Sequence, residues 1–297
     1  MASPYLAVFL ALLAWWLSVS THGQPLSQQT PLVQQKVILD ERSDHTSVAL
    51  MVTLVPAPNF AAISSSDTRK QSFIAWLLPL ISQENERIGV LRQEAVELYQ
   101  LWQTNALSLA QKEWLVDIAT DYEVDIDDAQ KNFTLEFWQS LLHRLDRVPP
   151  SLVLTQAAIE TGWGTSRLAQ EAHNFFGIMC FTSNCGVKVK GIVGEYRRFK
   201  SAQASVAFYM HILNTKGAYQ SARMERMHHR LLGHVPSGLQ LAKTLLNYSE
   251  LGQGYVNFVI KVMRSNQLED YDGAELSAAV DVIAAPEITT LNREGVD

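Results

Sequence analysis

The 297-residue chain has no excess of positive charge: 24 Lys and Arg stand against 30 Asp and Glu, a formal net charge of −6. That argues against a nucleic-acid-binding protein, whose surface normally carries a basic excess that displaces counterions. Cysteine is almost absent. Cys180 and Cys185 are the two present, so one bridge is the most the chain can form. An oxidising compartment lets them close a small loop; otherwise they are free thiols or half a metal site without its other ligands. His228, His229 and His234 do not supply those ligands, because their spacing fits no zinc pattern and no Cys or Asp completes a set nearby. Asp121, Glu123, Asp125 and Asp127 alternate as in a calcium loop. Ile126 stands where that loop needs glycine and Asn132 where it needs glutamate, so the stretch reads as a solvated acidic turn. No metal and no organic cofactor is expected.

A long membrane-spanning run is missing too. Residues 5–19 are apolar but fall short of the about 20 needed to cross a bilayer, and they suit the apolar region of an export signal. Residues 18–20 or 21–23 offer a cleavage site. No Lys or Arg precedes Lys36, so the positive segment of the signal rests on the amino terminus alone. A cleaved signal and an uncleaved anchor, the latter holding the protein at the inner membrane, are the two readings. Both give a periplasmic or secreted location.

After this segment the chain reads as an arm and then a series of helices. Residues 24–66 carry β-branched stretches closed by Pro56 and Pro58 and a serine linker, and read as an extended or poorly ordered arm. From Asp67 the period turns helical: Phe73, Trp76, Leu77 and Leu80 share a face, with Pro79 placed to kink or end the helix. A longer helix carries Ile88, Leu91, Ala95, Leu98 and Trp102. Ser108 with Gln111 forms a capping-box pattern before Trp114, Leu115, Ile118 and Tyr122. A fourth helix from Thr134 carries Phe137, Trp138, Leu141, Leu142 and Leu145. Residues 67–147 thus predict a bundle-like helical extension with its tryptophans in the core. Beyond Gly273 periodicity fades into a tail.

The chemistry concentrates in residues 149–177. A proline pair opens a run from Leu152 to Ile159 that is apolar nearly all round, as in a helix buried in a core. Glu160 ends the run, and Gly162 and Gly164 follow as helix-stopping residues. Burial and the negative end of the helix dipole both favour the protonated carboxyl, the state a general acid needs. The plain alternative is a solvated glutamate at a frayed helix end.

These residues resemble a family. Residues 157–164, AAIETGWG, followed by Asn174-Phe-Phe-Gly-Ile178, are similar to the core motif of glycoside hydrolase family 73, the glucosaminidase group of peptidoglycan hydrolases. Closer likeness to its Bax-like branch comes from residues 77–88, 180–186, 209–219 and 248–255. The resemblance implies a mainly α (α+β) fold, a lysozyme-like helical domain over residues 148–272 with a small β-hairpin lobe. Residues 187–199 alternate and carry central glycines, predicting two short strands turning near Gly191. Glu195 in that lobe is surrounded in sequence by Lys188, Lys190, Arg197, Arg198 and Lys200, which favour its ionised form. Glu160 and Glu195 are therefore the expected catalytic carboxyls, one acid and one base, nucleophile or electrostatic partner. Flagellar and autolysin-type members have a longer lobe with an earlier glutamate, so Glu195 matches the Bax-like pattern only. A substrate acetamido group could take its place. The resemblance further implies sugar contacts from Trp163, Asn174, Phe176, Tyr219, Tyr248 and Tyr255. The expected activity is hydrolysis of the β-1,4 bond after N-acetylglucosamine in peptidoglycan strands. A muramidase or lytic transglycosylase using the same acid, and a non-catalytic wall-binding protein, are the alternatives.

Overall fold

The computed structural model describes residues 56–126, 133–247 and 252–273. The expected signal or anchor, most of the arm, Asp127, Asn132, Tyr248 and the tail beyond Gly273 lie outside the described residues. Within them the protein is mainly helical with one small antiparallel sheet, a lysozyme-like arrangement as expected. No helix among the described residues is long and apolar enough to cross a membrane.

A 38-residue helix, α1 (Ser66–Gln103), forms the spine. Ser65 caps it by accepting the Thr68 N–H, and Asp67 suits the positive end of the helix dipole. Pro79 lies inside it, so of the expected kink or end the end is corrected. Its ring removes one amide bond, the partner carbonyl of Ala75 lies on the same exposed face where water can reach it, and Phe73, Leu77, Leu80 and Ile81 stay buried. The expected extended arm is corrected at its end as well: a 3-10 turn, Phe60–Ala62, packs Phe60 into the core at 1% exposure.

Next come α2 (Leu109–Asp121), opened by the Ser108–Gln111 capping box, and α3 (Leu135–Arg144), capped by Thr134. Helix α4 (Pro150–Thr161) follows, with Pro150 in its first turn, where a missing N–H does no harm. Ten of its 12 residues are buried. Around it pack α1, α8 (Gly238–Ala242), α9 (Gln253–Ser265) and the 3-10 turn Leu268–Tyr271. Its start is fixed by Asp272, whose carboxylate accepts the Ser151 N–H at 2.9 Å, the Ser151 hydroxyl at 2.7 Å and the Gly238 N–H at 2.8 Å. Between these elements lie α5 (Arg167–Ala172), α6 (Ala202–Thr215) and α7 (Gln220–Leu231). The strands are β1 (Met179–Cys180), β2 (Gly186–Val187) and β3 (Glu195–Arg197), ordered β1-β3-β2. The expected hairpin thus gains a third strand, β1, too short to show alternation.

One buried charge cluster ties the helices together. Asp146, 2% exposed in the α3–α4 connection, faces Arg226 at 3.3 Å, Arg92 at 3.9 Å and Arg230. Its carbonyl accepts the Asn214 side-chain amide at 2.8 Å. Burial alone would raise the Asp146 pKa, but Arg92, Arg230 and Arg226 outweigh it and hold the carboxyl well below its usual range. Asp146 therefore joins α1, α6 and α7 to the start of α4. Its contribution is present above the unfolded carboxyl pKa and is lost as pH falls toward the depressed folded value. Replacing Asp146 by Asn leaves three buried or half-buried guanidiniums without their counter-charge. Denaturant titration at pH 7 should show a loss of about 3–5 kcal/mol; a loss under 1 kcal/mol would mean that the cluster contributes little.

Candidate active site

Glu160 sits in the last turn of α4, and the chain reverses directly after it. Gly162, Trp163 and Gly164 all take positive φ, 57°, 61° and 79°. Two of the three are glycine, for which this region carries no Cβ penalty; Trp163 pays one of order 1 kcal/mol. Its neighbours hold it there. The Phe73 ring meets the Trp163 ring edge-on at 5.8 Å, and Lys70 places its ammonium 5.5 Å from the indole centroid. Phe60 lies so close to Gly164 that a Cβ there would overlap its ring. The Thr161 hydroxyl donates to Ala157 O at 2.6 Å and accepts the Gly164 N–H at 2.8 Å, closing the turn from inside.

The loop from Asn174 to Gly177 lies against the Glu160 carboxyl. A Cβ on Gly177 would stand 2.8 Å from Glu160 Oε2, and the residue has φ +64°, so glycine is required there on both counts. Glu160 keeps partial exposure, yet burial pushes its pKa from an ordinary 4.5 up to about 7. No charged neighbour contributes to that shift.

The other expected site residues divide. Asn174, 1% exposed, uses its side chain to bind backbone: it donates to Ile178 O at 2.8 Å and Arg197 O at 2.9 Å, and accepts the Ile178 N–H at 3.0 Å. It fastens β3 to the loop over Glu160. Phe176 stacks on Tyr209 at 4.0 Å with the planes 2° apart. The Tyr209 hydroxyl donates to Gln156, whose amide donates to the Tyr255 hydroxyl at 3.1 Å. Gln156 is wholly buried one turn before Glu160, so this chain anchors the helix end. Phe176, Tyr219 and Tyr255 are 4%, 5% and 1% exposed. In this structure these rings, expected as sugar contacts, are packed in the core. Trp163 alone among the expected aromatic contacts in the described residues keeps partial exposure.

Glu195, expected as the ionised carboxyl of the pair, sits on β3 against the disulfide loop. Its carboxylate accepts the Gly186 N–H at 2.8 Å and the Asn184 N–H at 3.3 Å, with Lys188 at 3.7 Å. These amides first, and Lys188 after them, hold its pKa below the ordinary value. Cross-strand pairing sets Cys180 opposite Glu195, and the Cys180–Cys185 disulfide closes the loop whose amides Glu195 binds. Neighbouring strand residues face opposite sides of a sheet. Tyr196, which pairs with both Met179 and Val187, therefore points away from Glu195. Burial first, then the charge of Glu160, push the Tyr196 phenol up to about 12. Sequence reasoning passed over Tyr196, although the alternation of residues 195–197 shows that Glu195 and Tyr196 cannot share a face.

Among the described residues no group of His, Cys, Asp and Glu could hold a metal ion. Glu123, in the acidic turn, instead pairs with Lys216 and Arg144.

Comparison of the sequence with known proteins points to one family. Residues 136–268 match the glucosaminidase model, described as mannosyl-glycoprotein endo-beta-N-acetylglucosaminidase. The chain is 33% identical over 211 residues to "Protein bax" of Escherichia coli (strain K12), covering 71% of this chain and 74% of that one. No solved structure matches it.

The environment of Glu160 has a measurable cost. Because the folded state holds the proton more tightly than the unfolded chain, stability falls as pH rises from about 4.5 through 7. Glu160→Gln removes that dependence. It should match the wild type in thermal unfolding at pH 4 and exceed it at pH 8, by at most about 3 kcal/mol. Equal stabilities at both pH values would show that the carboxyl is not held neutral.

Proposed function

The chain belongs to the glucosaminidase-domain family as a Bax-like member, and on that premise we propose that it is an exported hydrolase of peptidoglycan. The bond cut is the β-1,4 link after N-acetylglucosamine. The observation that carries the reading is one carboxyl, Glu160, at the end of a buried helix and raised to about 7 by burial alone.

A general acid works best when its pKa lies near the working pH, because it must be protonated yet ready to give the proton up. Glu160 donates its proton to the glycosidic oxygen as the bond to the anomeric carbon breaks. The electron pair leaves with the departing sugar, and positive charge develops on the ring carbon and oxygen. Stabilising that charge falls to a second group. Glu195 is engaged by the amides of Asn184 and Gly186, which favours the other candidate, the 2-acetamido group of the substrate itself. Its carbonyl oxygen attacks the anomeric carbon, and water later opens the resulting ring. The half-buried indole of Trp163 offers an apolar face beside Glu160 for a pyranose. No cofactor takes part in this scheme. Export is supported by the apolar run at residues 5–19 and by the Cys180–Cys185 bridge, which persists in oxidising compartments.

A lone acid also suits a lytic transglycosylase, and the products decide between them. Purified peptidoglycan digested by the wild type, reduced with borohydride and analysed by mass spectrometry, should carry new N-acetylglucosamine reducing ends, with none from Glu160→Gln. Muramic-acid ends, or anhydromuramic ends, would reassign the bond or the reaction. No cleavage by folded protein would favour a binding module. The wild-type kcat/KM should fall as pH rises through about 7, the free-enzyme pKa of Glu160. A flat profile to pH 9 would exclude Glu160 as the acid.

A further inference from the structure

We propose that Tyr196 is a positioning residue for Glu160, its phenol O–H donating to the Glu160 carboxylate as that group gives up its proton. The proposal rests on Glu160 acting as the general acid.

The geometry comes from the sheet. Gly177 lies against the Glu160 carboxyl, and two residues on, Met179 pairs across the sheet with Tyr196. The Arg197 N–H donates to Ile178 O at 2.8 Å, and the Asn174 amide grips the carbonyls of Ile178 and Arg197 together. The strand end bearing Tyr196 is thus fixed to the loop that touches Glu160. Strand alternation sends Tyr196 one way and Glu195 the other, where the disulfide loop takes up Glu195. Tyr196 is 4% exposed, so water does not screen the two groups as it would at a surface.

The chemistry is limited to what a buried phenol can do. Its ionisation, displaced to about 12, excludes a phenolate nucleophile at ordinary pH. What remains is a neutral donor. In the ground state Glu160 is protonated and gains little from a donor; as its proton passes to the glycosidic oxygen, the growing carboxylate gains a charge-assisted hydrogen bond. An interaction that strengthens during the reaction accelerates it. Tyr196 keeps its own proton throughout. Hydrogen bonds in an unliganded site are commonly long and tighten when substrate fills it.

The charged groups nearest in the fold have their own partners. Burial is the sole cause of the Glu160 shift, and Glu160 the sole charge felt by Tyr196. Lys70, on α1, lies over the Trp163 ring, and Arg197, on β3, stacks on Phe208 at 4.6 Å. Glu195 is held by Gly186 and Asn184.

The test compares the full-length wild type with Tyr196→Phe and Glu160→Gln on peptidoglycan across pH 5–9. Loss of the donor should lower kcat about tenfold or more with little change in KM. It should also move the alkaline limb of kcat/KM up by about one pH unit, because the carboxylate has lost a hydrogen bond. A merely structural tyrosine would lower activity without raising that limb, so an unmoved limb overturns the proposal. Should Tyr196→Phe fail to fold, 13Cζ-tyrosine labelling of the wild type reads the same contact. One tyrosine resonance should move with an inflection near pH 7 that disappears in Glu160→Gln, and no such resonance overturns the proposal. Retained activity in Glu160→Gln would instead overturn the acid assignment, an outcome the resonance shift does not depend on.

Discussion

Everything at the site depends on helix α4 being buried all round. A helix with one polar stripe can end anywhere on the surface, but a helix surrounded by α1, α8, α9 and the closing 3-10 turn ends inside protein. Its first turn is held by Asp272 and its middle by Gln156, which joins Tyr209 and Tyr255. The residue at its far end then inherits an environment it did not select. Glu160 is an acid of unusual pKa because the packing of other residues leaves it little water.

The reversal after Glu160 shows how strain is carried by packing. Of the three consecutive left-handed residues only Trp163 carries strain, of order 1 kcal/mol. Here Phe60, Phe73, Trp76 and Phe175 form a tilted and edge-on aromatic cluster, and Trp163 is drawn against it. Phe60 comes from the segment before α1, so the end of the stretch that reads as an arm buttresses the turn after α4. Such aromatic pairs are each worth about 0.5–1.5 kcal/mol beyond burial, enough together to offset one strained backbone residue.

Charge is divided between two tasks. Asp146 and its arginines form a buried cluster remote from chemistry, where a fully paired carboxylate specifies how α1, α6 and α7 meet. Glu195 performs the same kind of service at small scale, closing a disulfide loop through two amides. Glu160 is the exception: among the described residues no cation and no amide relieves it, and burial alone sets its proton affinity. Asp146 and Glu195 are pushed down by partners, while Glu160 is pushed up by burial.

The sequence by itself determined the local events. The proline pair that opens α4, the glycine that ends it, the Ser108–Gln111 cap and the helical periods from Asp67 onward are short-range chemistry, and each stands where the residues point. The position of Glu160 at the end of a buried helix is legible for the same reason: an all-round apolar run must be buried, and glycine must stop it. Tertiary structure alone decided what depends on opposite sides of a surface. Pro79 survives inside α1 at an exposed position, one turn after the exposed Ala75. Tyr255 and Phe176 became core because their partners come from distant segments. Glu195 turns onto the amides of Asn184 and Gly186, and Tyr196 to the opposite face, because β3 pairs with both β1 and β2. A linear pattern shows that two neighbours point apart, but only the packed fold says which one faces the site.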